Sequence, residues 1–500
     1  MRASFCHLLI CALLASLAVA APAVAAEPPV VILVMDEMSL GTMLNAGDKI
    51  DAQHFPAFAS MTATATWYRN HTTVSDNTLS AVPSILTGQR PANGPSINID
   101  ESHNIFNMLK GRYRINGYEP LTELCSLALC PEPKEYSLLA GARIRGSDAN
   151  HIRLRKLAAM ISGISRGGRR PLLWAVHTVF PHSPYAYLPN GDQYDDSRIS
   201  YAGSFFGYDW LDTSHEGEIA MTQQRMLMQA QFADRILAAL RSKLEKVGLW
   251  DKALVVVTAD HGISFTPNHQ RRSIGLANFA ELASVPLLVK YPQQNTARVS
   301  KQSTHSIDIL PTIAAITHSK PEYQGRTLIS APFDEAPIVR AGRKRTTVEM
   351  SLESMLTQQD AEVAQRQRRF PYQSLFVTAS NHRWVGKQLS GLATVPGKAS
   401  GRVLLDHPEY FKNPRPNSGW LPGAFLTART RGISTGARIV IVAGGRVLGA
   451  ATTFGFTESP ESPVTTRLAT MLDQSLISQS RIRLSFFLQS AAGLQRLSSN

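Results

Sequence analysis

Four short segments carry residue types that hold cations or move phosphoryl groups. Asp36 and Glu37 are consecutive acids directly after the apolar run Pro29–Met35. Zinc and hard-cation sites need carboxylates held in a dry, shaped pocket; the competing reading is a solvated strand end. Asp260, His261 and Gly262 follow the β-branched run Ala253–Thr258. They set a carboxylate beside an imidazole, with glycine for a tight turn, a pattern that points to metal ligands. Thr78 lies in Thr72–Gly88, near the start of a short helical segment. A hydroxyl there feels the positive end of the helix dipole, which favours an alkoxide and an incoming anion. A bound divalent cation would lower its pKa further, while an isolated Thr at that place also reads as an N-cap. The fourth segment, His177-Thr-Val-Phe-Pro-His182-Ser-Pro-Tyr185, puts two imidazoles after a strand end, in a Pro-rich loop. An imidazole there can meet a phosphoryl oxygen. His269 follows His261 closely and has two readings, a further ligand or a loop histidine.

The elements around these residues alternate. Pro29–Met35, Pro171–Val176, Ala253–Thr258 and Val285–Val289 are short apolar runs of the kind buried on both faces of a parallel sheet. A helical pattern runs from Glu218 to Val247, with Gly248 as its stop. Strands alternating with helices predict an α/β fold with a mostly parallel central sheet flanked by helices. Ligands of such sheets bind beyond the carboxyl ends of the strands, where three of the four segments fall. After about residue 330 the texture changes. Thr346–Arg369 reads as an amphipathic helix with a basic end. Short β-like runs follow at Ser374–Val377, Arg383–Val385, Arg438–Val442, Arg446–Ala450 and Arg481–Phe487. Gly444-Gly445 reads as a hairpin turn, and His407–Pro422 as a loop. The expected organisation is a signal peptide over 1–26, a catalytic domain over 27–330, a helical linker over 331–372 and a smaller β-rich C-terminal domain over 373–500.

The N-terminus reads as a cleaved export signal: Arg2, the apolar run Leu8–Ala20, then Ala23-Val24-Ala25 as a cleavage site. An uncleaved anchor is the other reading. The expected location is periplasmic or extracellular, with membrane association open. Cys125 and Cys130 are the cysteines left beyond that segment. Two thiols this close in an oxidising compartment read as a disulfide; a metal site is the alternative. The net charge is +13, which suits a solvated basic surface or attraction to an anionic membrane surface or phosphorylated glycans. The basic pairs Arg169-Arg170, Arg271-Arg272 and Arg368-Arg369 are scattered without interleaved aromatics, which argues against nucleic acid.

Together these segments resemble the sulfatase-like domain of the alkaline phosphatase superfamily, over roughly residues 28–320 with the motifs in order. Val-Ile-Leu-Val-Met-Asp36-Glu37 is similar to the family's first strand and metal ligand. Thr78-Leu-Ser-Ala-Val-Pro83 resembles the nucleophile segment of phosphoethanolamine transferases, which puts Thr78 in the nucleophile's place. Phe180-Pro-His182-Ser-Pro-Tyr185 resembles the family's substrate-side loop and implies that His182 stands beside the transferred group. Thr258-Ala-Asp260-His261-Gly262 is similar to its second pair of ligands. Ser306-Ile-Asp308-Ile-Leu-Pro311-Thr312 resembles a structural helix opening. The chain departs from true sulfatases, which carry Cys-x-Pro-Ser-Arg or its Ser version, the first residue becoming formylglycine. The resemblance implies a metal-dependent hydrolase or transferase acting on phosphate esters of lipid headgroups or glycans through Thr78. A divalent ion (zinc, manganese or calcium) would be held by Asp36, Glu37, Asp260, His261 and His269. The alternatives are a sulfuric ester hydrolase on the same fold and a binding module on a retired scaffold.

Overall fold

The structure, a computed structural model, describes residues 27–91, 101–122, 124–131, 149–194, 216–330, 336–341, 346–412, 414, 419–456, 464–476 and 482–500. The proposed export signal, residues 1–26, lies outside them. No helix among the described residues is long and apolar enough to cross a membrane.

Seven strands form the first sheet: β1 (Val30–Asp36), β2 (Thr66–Thr72), β3 (Arg114–Tyr118), β4 (Leu172–Pro181), β5 (Leu254–Ala259), β6 (Leu287–Lys290) and β7 (Arg298–His305). Their order is β3-β4-β1-β5-β6-β2-β7. Only β6 runs against its neighbours; the other pairings are parallel. The sheet is therefore mostly parallel, as the apolar runs predict. β1 shows why those runs lack alternation. Val31, Leu33 and Met35 enter the core on one face, with the long helix Glu216–Lys246. Val30, Ile32 and Val34 enter the core on the other, with Val82, Ile85 and Leu86 of the helix Thr78–Thr87. A strand covered on both faces has no solvent side to make polar.

The second large sheet is C-terminal: β10 (Thr394–Leu405), β11 (Phe425–Arg431), β12 (Arg438–Ala443), β13 (Arg446–Thr452), β14 (Phe454–Phe456), β15 (Thr465–Met471), β16 (Ser485–Ser490) and β17 (Gly493–Ser499). The β-rich tail is thus present. Gly444 and Gly445 turn β12 into β13 with φ of 55° and 77°, a conformation glycine adopts without steric cost. The two sheets share a core: Leu421, Phe425 and Met471 pack with the long helix of the first. Backbone bonds stitch the same seam, from the Gln193 amide to the Gly419 carbonyl at 3.0 Å and from the Leu421 amide to the Gln193 carbonyl at 2.8 Å.

Some expectations fail locally. The pattern over Thr346–Arg369 splits into β9 (Thr346–Glu349), paired with β8 (Ile338–Ala341), and a helix over Leu352–Arg369. Ser351 sets the boundary, its hydroxyl accepting the Ser354 amide at 3.2 Å. Ser374–Val377 and Arg383–Val385 are turns, not strands. The Asn381 side chain accepts the Thr378 amide at 2.7 Å and donates to the Phe376 carbonyl at 3.0 Å, taking backbone groups a ladder would use. His177 does not follow a strand: β4 continues through it to Pro181. Cys125 and Cys130 are joined as a disulfide, as their spacing suggests.

Candidate active site

The carboxyl ends of β1, β4 and β5 converge. Asp36 ends β1, and Asp260 follows β5 with its amide bonded to the Met35 carbonyl at 2.9 Å. Among the described residues, Asp36, Asp260 and His261 bring donor atoms within 4.8 Å of one another, all three buried. Asp260 is clamped by its Oδ1, which accepts the Glu37 amide at 3.1 Å and the His261 amide at 2.6 Å. Its Oδ2 makes no hydrogen bond, and neither oxygen of Asp36 makes one. Buried carboxylate oxygens without partners are costly, and burial beside Asp260 and Glu37 raises the pKa of Asp36 well above the usual carboxylate range. A divalent cation relieves both penalties at once, so this donor set fits one.

His261 is oriented by its backbone. Its Nδ1 donates to the Gly262 carbonyl at 2.8 Å, which leaves the Nε2 lone pair facing the site. That Nε2 lies 3.6 Å from Asp260 Oδ2 and 3.3 Å from Thr78 Oγ1. Thr78 is the first residue of its helix, not the N-cap. Asn77 is the cap, accepting the Leu79 amide with its side chain at 3.0 Å. Thr78 is half-buried. Gly262 is required for space and not for a left-handed turn: a Cβ there would stand 1.9 Å from the Glu281 carbonyl oxygen.

Of the other two expected ligands, Glu37 has one oxygen engaged and the other, Oε2, buried without a hydrogen-bond partner, while His269 lies apart. Glu37 has φ of 61° and its carboxylate pairs with Arg272, with His182 Nε2 at 3.6 Å from the same oxygen. Burial alone would raise its pKa; Arg272, His182 and Arg271 outweigh that and hold it at about 2. His269 is bonded through Nδ1 to the Pro267 carbonyl at 2.9 Å and stands outside the convergent group. His182 sits at the rim with 31% of its side chain exposed; burial lowers its pKa to about 4 against the pull of Glu37.

Sequence reasoning missed Arg272 and placed His177 in a loop. Arg272 reads in sequence as half of a scattered basic pair, yet it holds Glu37 and donates to Ser183 Oγ at 2.8 Å. His177, fully inside β4, faces Asp36 and Asp260. A usable signal was present for Arg272: it lies eleven residues beyond His261, on the same post-strand loop.

A mostly parallel sheet with acids and an imidazole at its carboxyl edge, beside a helix-borne hydroxyl, is the arrangement of the alkaline phosphatase superfamily of hydrolases. Within it the chain belongs to the sulfatase family, whose model matches residues 28–319. Over 103 residues it is 31% identical to the multifunctional alkaline phosphatase superfamily protein PehA of Trinickia caryophylli; the match spans 20% of this chain and 20% of that relative's length. Among solved structures it is similar to the phosphonate monoester hydrolase of Agrobacterium radiobacter, at 16% identity and a TM-score of 0.46, over 62% of this chain and 80% of that one. A putative sulfatase from Bacteroides thetaiotaomicron is similar at 12% identity and a TM-score of 0.47, over 71% of this chain and 90% of that one.

Proposed function

We propose that the chain is a metal-dependent hydrolase or transferase of phosphate esters in which Thr78 is the nucleophile. The observation that carries this reading is the 3.3 Å separation of Thr78 Oγ1 from His261 Nε2, at the mouth of the buried Asp36–Asp260 group. A divalent cation held by Asp36, Asp260 and His261 would lower the pKa of a neighbouring hydroxyl and offset charge on ester oxygens. Thr78 Oγ1 gives up its proton to solvent and forms a bond to phosphorus as the ester P–O bond breaks, and the departing oxygen takes a proton from solvent. Water, or an acceptor hydroxyl, then displaces the phosphoryl group and restores the Thr78 hydroxyl. His182, at the rim beside Arg272, is placed to meet the negative oxygens of the transferred group.

The net charge of +13 supports an anionic substrate such as a lipid headgroup or an envelope glycan, reached after export. Sulfate esters are the second reading, favoured by the family match. Against it stands the side chain itself: oxidising the Thr78 alcohol carbon, which carries a methyl group, would give a ketone and not the aldehyde of formylglycine. The test is intact mass after brief incubation with a phosphodiester donor and a divalent metal. A phosphoryl adduct on wild type and none on Thr78→Ala is the expected result. Sulfate release from an aryl sulfate that depends on Thr78, with no phosphoryl adduct from any donor, would move the assignment to sulfate.

A further inference from the structure

His177 lies inside β4, where every residue from Leu172 to Pro181 is buried. It is the register partner of Val34, two residues before Asp36 on β1. The register between the two strands breaks between Val34 and Asp36, and His177 still brings an imidazole nitrogen to 3.7 Å from the Asp36 carboxylate. It is 2% exposed, and neither ring nitrogen makes a hydrogen bond. An imidazole always has a nitrogen that needs a partner, whichever tautomer it adopts. Leaving both without one in the core costs on the order of 1–3 kcal/mol each.

The nearest polar atoms are ones already in deficit. His177 Nε2 stands 3.7 Å from Asp36 Oδ2 and 3.9 Å from Asp260 Oδ2. Those separations are too long for hydrogen bonds. They match instead the spacing of donors around a common ion: two ligands at about 2.0–2.1 Å from a tetrahedral zinc are roughly 3.3 Å apart. His177 stands outside the Asp36–Asp260–His261 group whose donor atoms lie within 4.8 Å of one another, so rotation of side chains has to bring its Nε2 to the shared ion. Three oxygens of Asp36 and Asp260 and the Nε2 of His177 are thus buried and unbonded, and Nε2 stands within 4 Å of one oxygen of each acid.

We propose that His177 is a further metal ligand, completing with Asp36, Asp260 and His261 a set of two carboxylates and two imidazoles that selects a zinc-like ion over calcium. The proposal rests on the metal-dependent reading of the site. Calcium takes six to eight oxygen ligands, whereas imidazole suits zinc and other later transition metals. Two imidazoles among four ligands leave too few oxygens for calcium without extensive water. Because β4 is paired on both sides, by β3 and β1, the ligand is part of the sheet and not of a loop.

The experiment uses the full chain, stripped with a chelator and titrated with zinc, calcium or cobalt(II) alone. Expected for wild type is one equivalent of zinc that excess calcium does not displace. His177→Gln, shown folded by circular dichroism, is expected to bind zinc about 100-fold more weakly, the upper range seen when a group supporting a metal is lost. Cobalt(II)-loaded wild type is expected to show two strongly shifted, exchangeable imidazole N–H proton resonances. His177→Gln should show one, and His182→Gln should keep two. A single such resonance in wild type, or zinc affinity in folded His177→Gln within twofold of wild type, overturns the assignment of His177 while leaving the metal-dependent reading intact. Wild type that binds no divalent ion removes both. The wild-type resonance count needs no variant, so it decides the matter even if His177→Gln does not fold.

Discussion

Arg272 donates from Nε to the carboxylate of Glu37, 235 residues away in the chain. The contact ties the end of β1 to the loop that follows His261 through one Glu37 oxygen, while the other, Oε2, is buried without a hydrogen-bond partner. Glu37 is 1% exposed at its side chain and Arg272 20%. Removing one partner of such a pair strands the other charge in the core.

Arg272→Met is therefore expected to destabilise the fold by about 3–5 kcal/mol, the range for breaking a buried pair. The double variant Glu37→Gln/Arg272→Met should recover much of that loss, since it removes the stranded carboxylate as well. Chemical denaturation of the two single variants and the double completes the cycle. Simple additivity of the single effects would mean that the pair does not couple.

Gly262→Ala is expected to cost about 1–3 kcal/mol, as overpacking does, and to weaken metal binding. The added Cβ would meet the Glu281 carbonyl oxygen at 1.9 Å and Ser39 Oγ at 2.5 Å. The backbone that would move carries His261. Isothermal titration with zinc checks the second effect; unchanged affinity in a destabilised variant would show that the loop yields away from the ligand.

The parts legible in the sequence and the parts that were not differ for a physical reason. β1, β4, β5 and the long helix announce themselves because their faces are apolar. β2 is also buried throughout, yet reads Thr-Trp-Tyr-Arg-Asn-His-Thr. Several of its polar groups meet residues no local pattern reveals: Arg69 meets Asp48, the Asn70 amide the Lys301 carbonyl at 2.6 Å, and His71 Nδ1 the Thr304 Oγ1 at 3.0 Å. The same holds at the site. Asp36, Thr78, Asp260 and His261 follow strand ends or open a helix, and their roles can be proposed from position. That one oxygen of Glu37 is taken by Arg272 depends on a distant loop, and no spacing encodes it.

His54 supplies a pH test away from the site. Its Nδ1 lies 2.7 Å from Asp51 Oδ2 and its Nε2 3.1 Å from the Gln373 carbonyl oxygen. Both partners are acceptors, so the arrangement calls for the doubly protonated ring. The Asp51 bond raises the pKa of His54 above 6.5, and His54 in turn lowers that of Asp51 below 3.8 against its burial. A raised histidine pKa contributes stability that is fully present below its unfolded value near 6.5 and is lost as pH rises through the folded one. The depressed Asp51 contributes above its unfolded value and loses that contribution as pH falls through its folded one. The stability of wild type relative to His54→Gln, about 1–2 kcal/mol for a half-buried charged bond, should be greatest near pH 5–6 and shrink on both sides. A His54 titration midpoint by proton NMR at or below 6.5 would sink this account.

Thr78 and its neighbour Asn77 separate chemistry from scaffolding. Asn77 caps the helix by accepting the Leu79 amide at 3.0 Å, while Thr78 Oγ1 faces His261 Nε2 at 3.3 Å and caps nothing. Asn77→Ala is expected to lose about 1 kcal/mol of stability, the usual cost of an N-cap, with turnover reduced because the helix start frays. Thr78→Ala should leave thermal stability nearly unchanged, since its side chain is only half-buried, and abolish turnover of a phosphate ester. Thr78→Ser keeps an oxygen at the same place and should keep most of the turnover, with a phosphoryl adduct of the same mass. The three variants are read by thermal unfolding and by steady-state turnover side by side. If Thr78→Ala loses stability in step with Asn77→Ala and still turns over, Thr78 belongs to the scaffold, and the nucleophile must be sought among the other groups at the mouth of the site.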